Sequence, residues 1–262
     1  MPEFDTLDFD ITEGLATITF NRPDRLNALS GQLKSDLLEA LRFLGRPDSG
    51  ARALLITGKG RGFCAGADLA ESGMSEDRDL GASLTDTYHP FLTELANLKI
   101  PVVSAVNGVA AGAGMSIAIS ADIVIAAKSA YFLQAFVNIA LVPDAGSTYI
   151  LPRLVGLSRA RAMMMLGEKL PADKALEWGL VYDVVEDEAL LETATTLAKK
   201  LASGPTVALS GIRQLMAQSM NNDYQAQLAA EASAQRVAGR SADCIEGVMA
   251  FLQKRPADFK GQ

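Results

Sequence analysis

Residues 102–127 read VVSAVNGVAAGAGMSIAISADIVIAA, and how this stretch is interpreted decides the fold. Its apolar length suits a membrane span, and Gly108-x-x-x-Gly112 matches the small-residue pattern of helix pairs in lipid. Asn107, Asp122 and several glycines interrupt the run, and an aspartate at mid-bilayer is costly. The stretch instead predicts a buried strand over Val102–Val106, a glycine turn, a buried helix, and a second strand over Ile123–Ala126.

The same alternation extends in both directions. Leu15–Phe20 (LATITF) is a β-rich run closed by the turn signal Asn21-Arg22-Pro23. Ser30 suits the cap of a helix that carries Leu33, Leu37, Leu38, Leu41 and Leu44 at helical spacing. Ala53–Thr57 is a short apolar strand ended by Gly58–Gly62, Phe91–Leu98 reads as helix, and Tyr131-Phe132 returns to strand. Strands alternating with helices imply βαβ units and a mostly parallel sheet covered on both faces. The acidic stretch Glu71–Asp79 reads as mobile. From about Gly146 onward nearly everything is helical except Val181–Val185. The expected helices there are Leu190–Leu201, Val207–Met220, Tyr224–Val237 and Ile245–Lys254. The chain thus divides into an α/β core, 1–200, and a helical C-terminal region, 201–262. That region carries more apolar stripe than a monomer hides, so an oligomer interface is expected on it.

Composition excludes several functions. Among 262 residues, 49% are hydrophobic and 21% charged, ample for a core. With 24 basic against 31 acidic side chains the net charge is −7, which leaves no basic footprint for nucleic acid. Two cysteines, Cys64 and Cys244, in unrelated contexts and one histidine make a metal centre improbable, and none is expected. Met1–Asp5 is acidic without an apolar h-region, so no signal peptide is expected and a reducing cytoplasm fits.

Nucleophilic catalysis needs a histidine base. The sole candidate, His89, lies in Thr87-Tyr88-His89-Pro90 and reads as a solvated or capping residue at a helix start. Ser147 lacks a G-x-S-x-G frame, and Gly58–Gly62 lacks that of a phosphate loop. Two glycine-rich turns remain, Phe63–Asp68 and Asn107–Gly114, each following a strand and expected to precede helix. Small residues let a ligand approach the backbone closely. Two unpaired N–H groups converging on one oxygen would form an oxyanion hole. The alternative is that both turns only permit tight strand–helix packing.

At these residues the sequence resembles a known family. The segments Asn21–Leu29 (NRPDRLNAL), Gly62–Leu69 (GFCAGADL), Pro101-Val102-Val103 and Val106-Asn107-Gly108 are similar to those of the crotonase, or enoyl-CoA hydratase/isomerase, superfamily. Leu141–Gly146, Leu151-Pro152-Arg153, Glu177–Leu180 and Glu246–Phe251 extend the likeness over essentially the whole chain. The resemblance implies an α/β spiral of ββα units with a helical C-terminal trimerisation region, assembled as a homotrimer or a dimer of trimers. It implies acyl-CoA thioester substrates, with coenzyme A entering as part of the substrate and no separate cofactor. The two hole donors map onto the N–H groups of Ala67 and Ala113. Ala113 stands where many members have glycine, a change that keeps the N–H. Coenzyme A contacts map onto Arg25, Leu26, Ala65, Gly66, Ala67, Asp68 and Leu69, and substrate contacts onto Gly112, Ala113 and Phe136.

Hydratases of the family use two glutamates, and those positions here are Ser116 and Phe136. Both carboxylates are missing. Asp144 falls where several double-bond isomerases of the family carry an aspartate; the alternative is that it caps the following helix. One carboxylate suits isomerisation, because one base can remove a proton from one carbon and return it to another. Within the family the chain most resembles isomerases acting on ring-1,2-epoxyphenylacetyl-CoA, through Tyr88–Leu92, Val109–Gly114, Pro143-Asp144 and Ala238–Asp243. An enoyl-CoA hydratase using water and Asp144 alone stays open, as does a silent acyl-CoA-binding subunit. The acyl pocket is expected between the segment after Asp68 and the surroundings of Phe136.

Overall fold

The computed structural model describes residues 2–71 and 79–262. Most of the stretch Glu71–Asp79, for which mobility is expected, lies outside the described residues. The chain opens with a hairpin, β1 (Leu7–Thr12) and β2 (Leu15–Phe20), turned by Glu13 and Gly14 at positive φ. β1 is an addition to the expected strands. Its sequence, LDFDIT, alternates apolar with polar residues, the period of a half-buried strand.

A short 3-10 turn, Pro23–Arg25, leads to α1 (Gly31–Leu44). Ser30 Oγ accepts from Leu33 N at 3.0 Å, as the capping pattern predicts, and Leu33, Leu37, Leu41 and Leu44 are buried. β3 (Ala53–Gly58) and β4 (Gly62–Cys64) follow, then α2 (Leu80–Ser83), a π-helical turn over Leu84–Tyr88, and α3 (His89–Asn97). The stretch quoted at the outset becomes β5 (Val102–Val106), β6 (Val109–Ala111), a wholly buried α4 (Ala113–Ile119), and β7 (Ile123–Ala127). No described helix is long and apolar enough to cross a membrane. Next come β8 (Tyr131–Leu133), a 3-10 turn over Ala135–Ile139, α5 (Ser147–Val155) and α6 (Leu157–Leu166). β9 (Lys169–Pro171), α7 (Ala172–Glu177) and β10 (Asp183–Val185) precede four helices: α8 (Leu190–Ala202), α9 (Thr206–Ser219), α10 (Tyr224–Ala238) and α11 (Ala242–Gln253). β9 interrupts a stretch expected to be helical; it pairs antiparallel with β8.

The expected parallel sheet is two sheets. The larger has the order β1-β2-β3-β5-β7-β10 and is parallel from β2 onward; the smaller has the order β4-β6-β8-β9. In each of the pairs β3/β4, β5/β6 and β7/β8, the first strand joins the large sheet and the second the small one. That is the spiral of ββα units. Phe20 on the large sheet and Phe63 on the small one meet edge to face with centroids 5.6 Å apart, so one core serves both.

Close backbone approach sets the junctions. A methyl group built on Gly114 would overlap the Cys64 carbonyl oxygen, so only glycine lets α4 lie against β4. The side chain of Asn27 donates to Gly62 O at 2.7 Å and to Lys59 O at 3.1 Å, and Asn107 Nδ2 donates to Gly60 O at 2.9 Å. These two amides fix the loop that feeds β4. At the other end, Arg213 of α9 ties the C-terminal helices to the core by donating to Asp122 at 2.8 Å and to Ala96 O at 2.8 Å.

Candidate active site

The two glycine turns lie side by side, because β4 and β6 are parallel neighbours. A methyl group built on Gly66 would sit 3.6 Å from Ala113 N and 2.8 Å from Ala111 O. Gly66 has φ +92, so both its space and its backbone conformation require glycine.

Each candidate donor is aimed by the carbonyl of its own peptide unit. In a trans peptide the C=O and the following N–H point in opposite directions. Gly66 O accepts from Leu29 N at 2.7 Å, and Asp68 N donates to Leu29 O at 3.2 Å. This bridge uses the groups on either side of Ala67 and turns the Ala67 N–H outward. In the second turn Gly112, at φ +51, receives Ser116 N at 3.1 Å on its carbonyl. The Ala113 N–H then leads away from the helix that Ala113 begins. Among the described residues, neither the Ala67 nor the Ala113 N–H donates to an acceptor.

One expectation is corrected here. Phe63–Asp68 does not run into a helix; Leu69–Glu71 is a turn. The Ala67 N–H is therefore no helix terminus. What holds it is the bridge to Leu29 and an ion pair, Arg22 Nη2 to Asp68 Oδ2 at 2.9 Å. Asp68 is buried, and burial alone would raise its carboxyl. The hydrogen bond from Arg22 and the N–H of Glu71 outweigh that and hold it below the usual carboxylate range. The Asp68 side chain thus faces inward to Arg22. Sequence reasoning passed over Arg22; the nearest signal was a lone cation in a turn otherwise built of Asn and Pro.

Ala65 N donates to Leu26 O at 3.0 Å, which sets Leu26 beside the first turn. Arg25 is exposed at the end of its 3-10 turn and makes no ion pair among the described residues. Leu69 is 57% exposed on the same side. At the second turn, a methyl group built on Gly112 would lie 3.7 Å from Phe136 Cζ, so the Phe136 ring forms an apolar wall against that turn.

Asp144 lies on a turn in which Ala145 and Gly146 are successively left-handed. It does not cap α5, whose cap is Gly146 with no side-chain bond. Only its carbonyl is used locally, accepting Ser147 N at 3.0 Å and Ser147 Oγ at 2.9 Å. Its carboxyl Oδ1 is buried without a hydrogen-bond partner among the described residues, a costly state for an ion. Burial pushes the carboxyl up to about 6, with the charge of His89 exerting a lesser pull downward. Ser116 Oγ lies 3.3 Å from Asp144 O and 3.3 Å from Gly112 O, so the aspartate and the second turn are neighbours. His89 itself is exposed and begins α3. Cys64 is excluded as a nucleophile, since complete burial pushes its thiol up to about 12. No cluster that could hold a metal occurs among the described residues.

The arrangement brings two unpaired N–H groups on adjacent turns together with a neighbouring loop that carries a partly desolvated carboxyl. Known proteins share the chain that builds it. The enoyl-CoA hydratase/isomerase family profile matches residues 10–262. The 1,2-epoxyphenylacetyl-CoA isomerase of Escherichia coli (strain K12) is 46% identical over 96% of this chain and 97% of its own. The 2,3-dehydroadipyl-CoA hydratase of the same organism is 39% identical over 94% of each chain. Among solved structures, an enoyl-CoA hydratase from Bacillus anthracis superposes with a TM-score of 0.93 at 32% identity, covering 98% of this chain and all of the other. The likeness spans both turns, the Asp144 loop and the C-terminal helices, and the chain belongs to the enoyl-CoA hydratase/isomerase family.

Proposed function

We propose that the chain is an acyl-CoA double-bond isomerase in which Asp144 shuttles a proton across a thioester enolate held by Ala67 and Ala113. The observation that carries this reading is the isolation of Asp144. Its Oδ1 is buried and unpartnered, while Ser116 and Phe136 occupy the two positions where the resemblance puts a hydratase's glutamates. Polarising the thioester oxygen makes the α-carbon acidic, and the ionised aspartate removes its proton and returns it to the γ-carbon. Ring-1,2-epoxyphenylacetyl-CoA, on which the 46%-identical relative acts by name, is the first substrate to test, with enoyl-CoA chains second. Arg25, Leu26 and Ala65–Leu69 would hold the coenzyme A portion.

The test is deuterium uptake at the α-carbon of acyl-CoAs in heavy water, which reports enolate formation whatever the product. Asp144→Asn should lower exchange by about 10²–10⁴-fold, the usual worth of a positioned base, while acyl-CoA binding persists. Full exchange by this variant overturns the assignment. In the native enzyme kcat/KM should fall as pH drops through about 6, because the base works ionised.

The hydratase named among the relatives supports a second reading, water addition to a 2-enoyl-CoA using Asp144 alone. Loss of the enoyl absorbance of crotonyl-CoA would favour it. Tight acyl-CoA binding without exchange would instead mark a silent binding subunit. Assembly as a homotrimer or a dimer of trimers is supported by exposed apolar residues on α9–α11, among them Ile212, Met216, Ile245, Val248 and Phe251.

A further inference from the structure

We infer that Ser116 is a positioning residue whose hydroxyl fastens the Asp144 loop to the peptide carrying the Ala113 N–H; this rests on the assignment of Asp144 and the hole given above. Ser116 is fully buried on α4, and its Oγ lies 3.3 Å from both Gly112 O and Asp144 O. One hydroxyl has one proton, and its equal separations of 3.3 Å from the two carbonyls let that proton bridge or alternate between them.

The first leg alone would be unremarkable. A helical serine commonly donates to the carbonyl four residues earlier, as Ser120 Oγ does to Ser116 O at 2.7 Å. The second leg is not local, for it crosses 28 positions to the loop that bears the carboxylate. The two carbonyls also belong to the working parts. Gly112 O is the far end of the planar unit whose near end is the Ala113 N–H, so gripping it sets the direction of that donor. Asp144 O adjoins the Cα from which the carboxyl extends, and Ser147 restrains it from the other side. Asp144 Oδ1 has no partner among the described residues, so the carboxyl is oriented through its backbone. Ser116 thereby holds hole and base in one register, although it occupies a position where the resemblance places a carboxylate.

The experiment measures α-proton exchange, KM and thermal midpoint for Ser116→Ala and Ser116→Thr beside Asp144→Asn. Ser116→Ala should lower kcat about tenfold, the effect of a modest misplacement of base and hole, with KM and thermal midpoint little changed. Ser116→Thr keeps the hydroxyl and should restore most of the rate. Should the alanine variant fold poorly, Ser116→Cys, near in shape but a weak donor, replaces it with the same expected loss. Native kcat in the alanine or cysteine variant, with Asp144→Asn inactive, overturns the role of Ser116 and leaves that of Asp144 standing. Equal losses in the alanine and threonine variants, tracking the thermal midpoint, also overturn it by showing a packing role. An active Asp144→Asn overturns the base itself, and this inference with it.

Discussion

Ala113 presents its N–H from the first position of α4, whereas Ala67 presents its own from an extended segment bridged to Leu29 and braced by Arg22–Asp68. The first device is local: the opening N–H groups of any helix lack partners within it. The second is assembled from segments 38 and 46 residues apart, since Leu29 and Arg22 both precede the turn by about that separation. Two donors that would serve one oxygen therefore differ in what must fold before each is available. A helix-start donor survives as long as its helix does. A bridged donor depends on an ion pair and on the packing of a distant loop.

Proline substitutions break the comparison most sharply. Ala113→Pro removes the N–H at a helix position where proline is well tolerated. It should cut kcat by about 10²–10³-fold, the usual worth of one hole donor, and lower the thermal midpoint less than proline at Ala67 does, because only the buried ring and no helix break must be accommodated. Ala67→Pro should cost as much rate and lower the midpoint further, because no helix accommodates the ring. Equal midpoints for the two variants would erase the distinction drawn between the turns.

Arg22→Met tests the brace. Removing one partner of a largely buried pair leaves Asp68 uncompensated, at an expected cost of about 1–3 kcal/mol in chemical unfolding, below the full buried-pair value because Arg22 is partly solvated. The Asp68 carboxyl is held below its ordinary range, so its stabilisation is present above about pH 4 and fades as pH falls through the lowered value. Arg22→Met should flatten that acid limb of the stability profile. An unchanged limb would assign the acid sensitivity elsewhere.

The smallest effect is expected from Ser30→Ala. This residue follows Leu29 directly and caps α1, so its loss should cost about 1 kcal/mol. Exchange activity should be unaffected, since the bridge to Ala67 uses the backbone of Leu29 alone. A parallel fall in rate would show that the cap and the first turn act together.

Much of the fold was legible because its signals are local. Ser30 and the leucine spacing mark α1, and the small residues of 102–127 mark two strands around a buried helix. The strands missed are instructive. β4 and β6 are three residues long and lie within what reads as glycine turn, so no periodicity can develop in them. Their pairing into a separate sheet also divides what reads as one sheet into two. In the site, Asp144 and the two alanines were placed through resemblance, while Arg22 and Ser116 were not given their roles. Arg22 acts on Asp68 across 46 positions and Ser116 on Asp144 across 28, and nothing adjacent in the chain announces either.

By itself the sequence determined the main helices and the strands of the large sheet apart from β1, and through resemblance it pointed to the family and to the candidate carboxylate. The helices and strands are properties of residue type and short-range spacing. Only the tertiary structure decided that Asp144 leaves its helix uncapped, that its carboxyl rises to about 6, and that Asp68 faces Arg22. Desolvation and hydrogen bonding depend on which atoms surround a group, and those surroundings come from segments that meet only when the two sheets close on a common core.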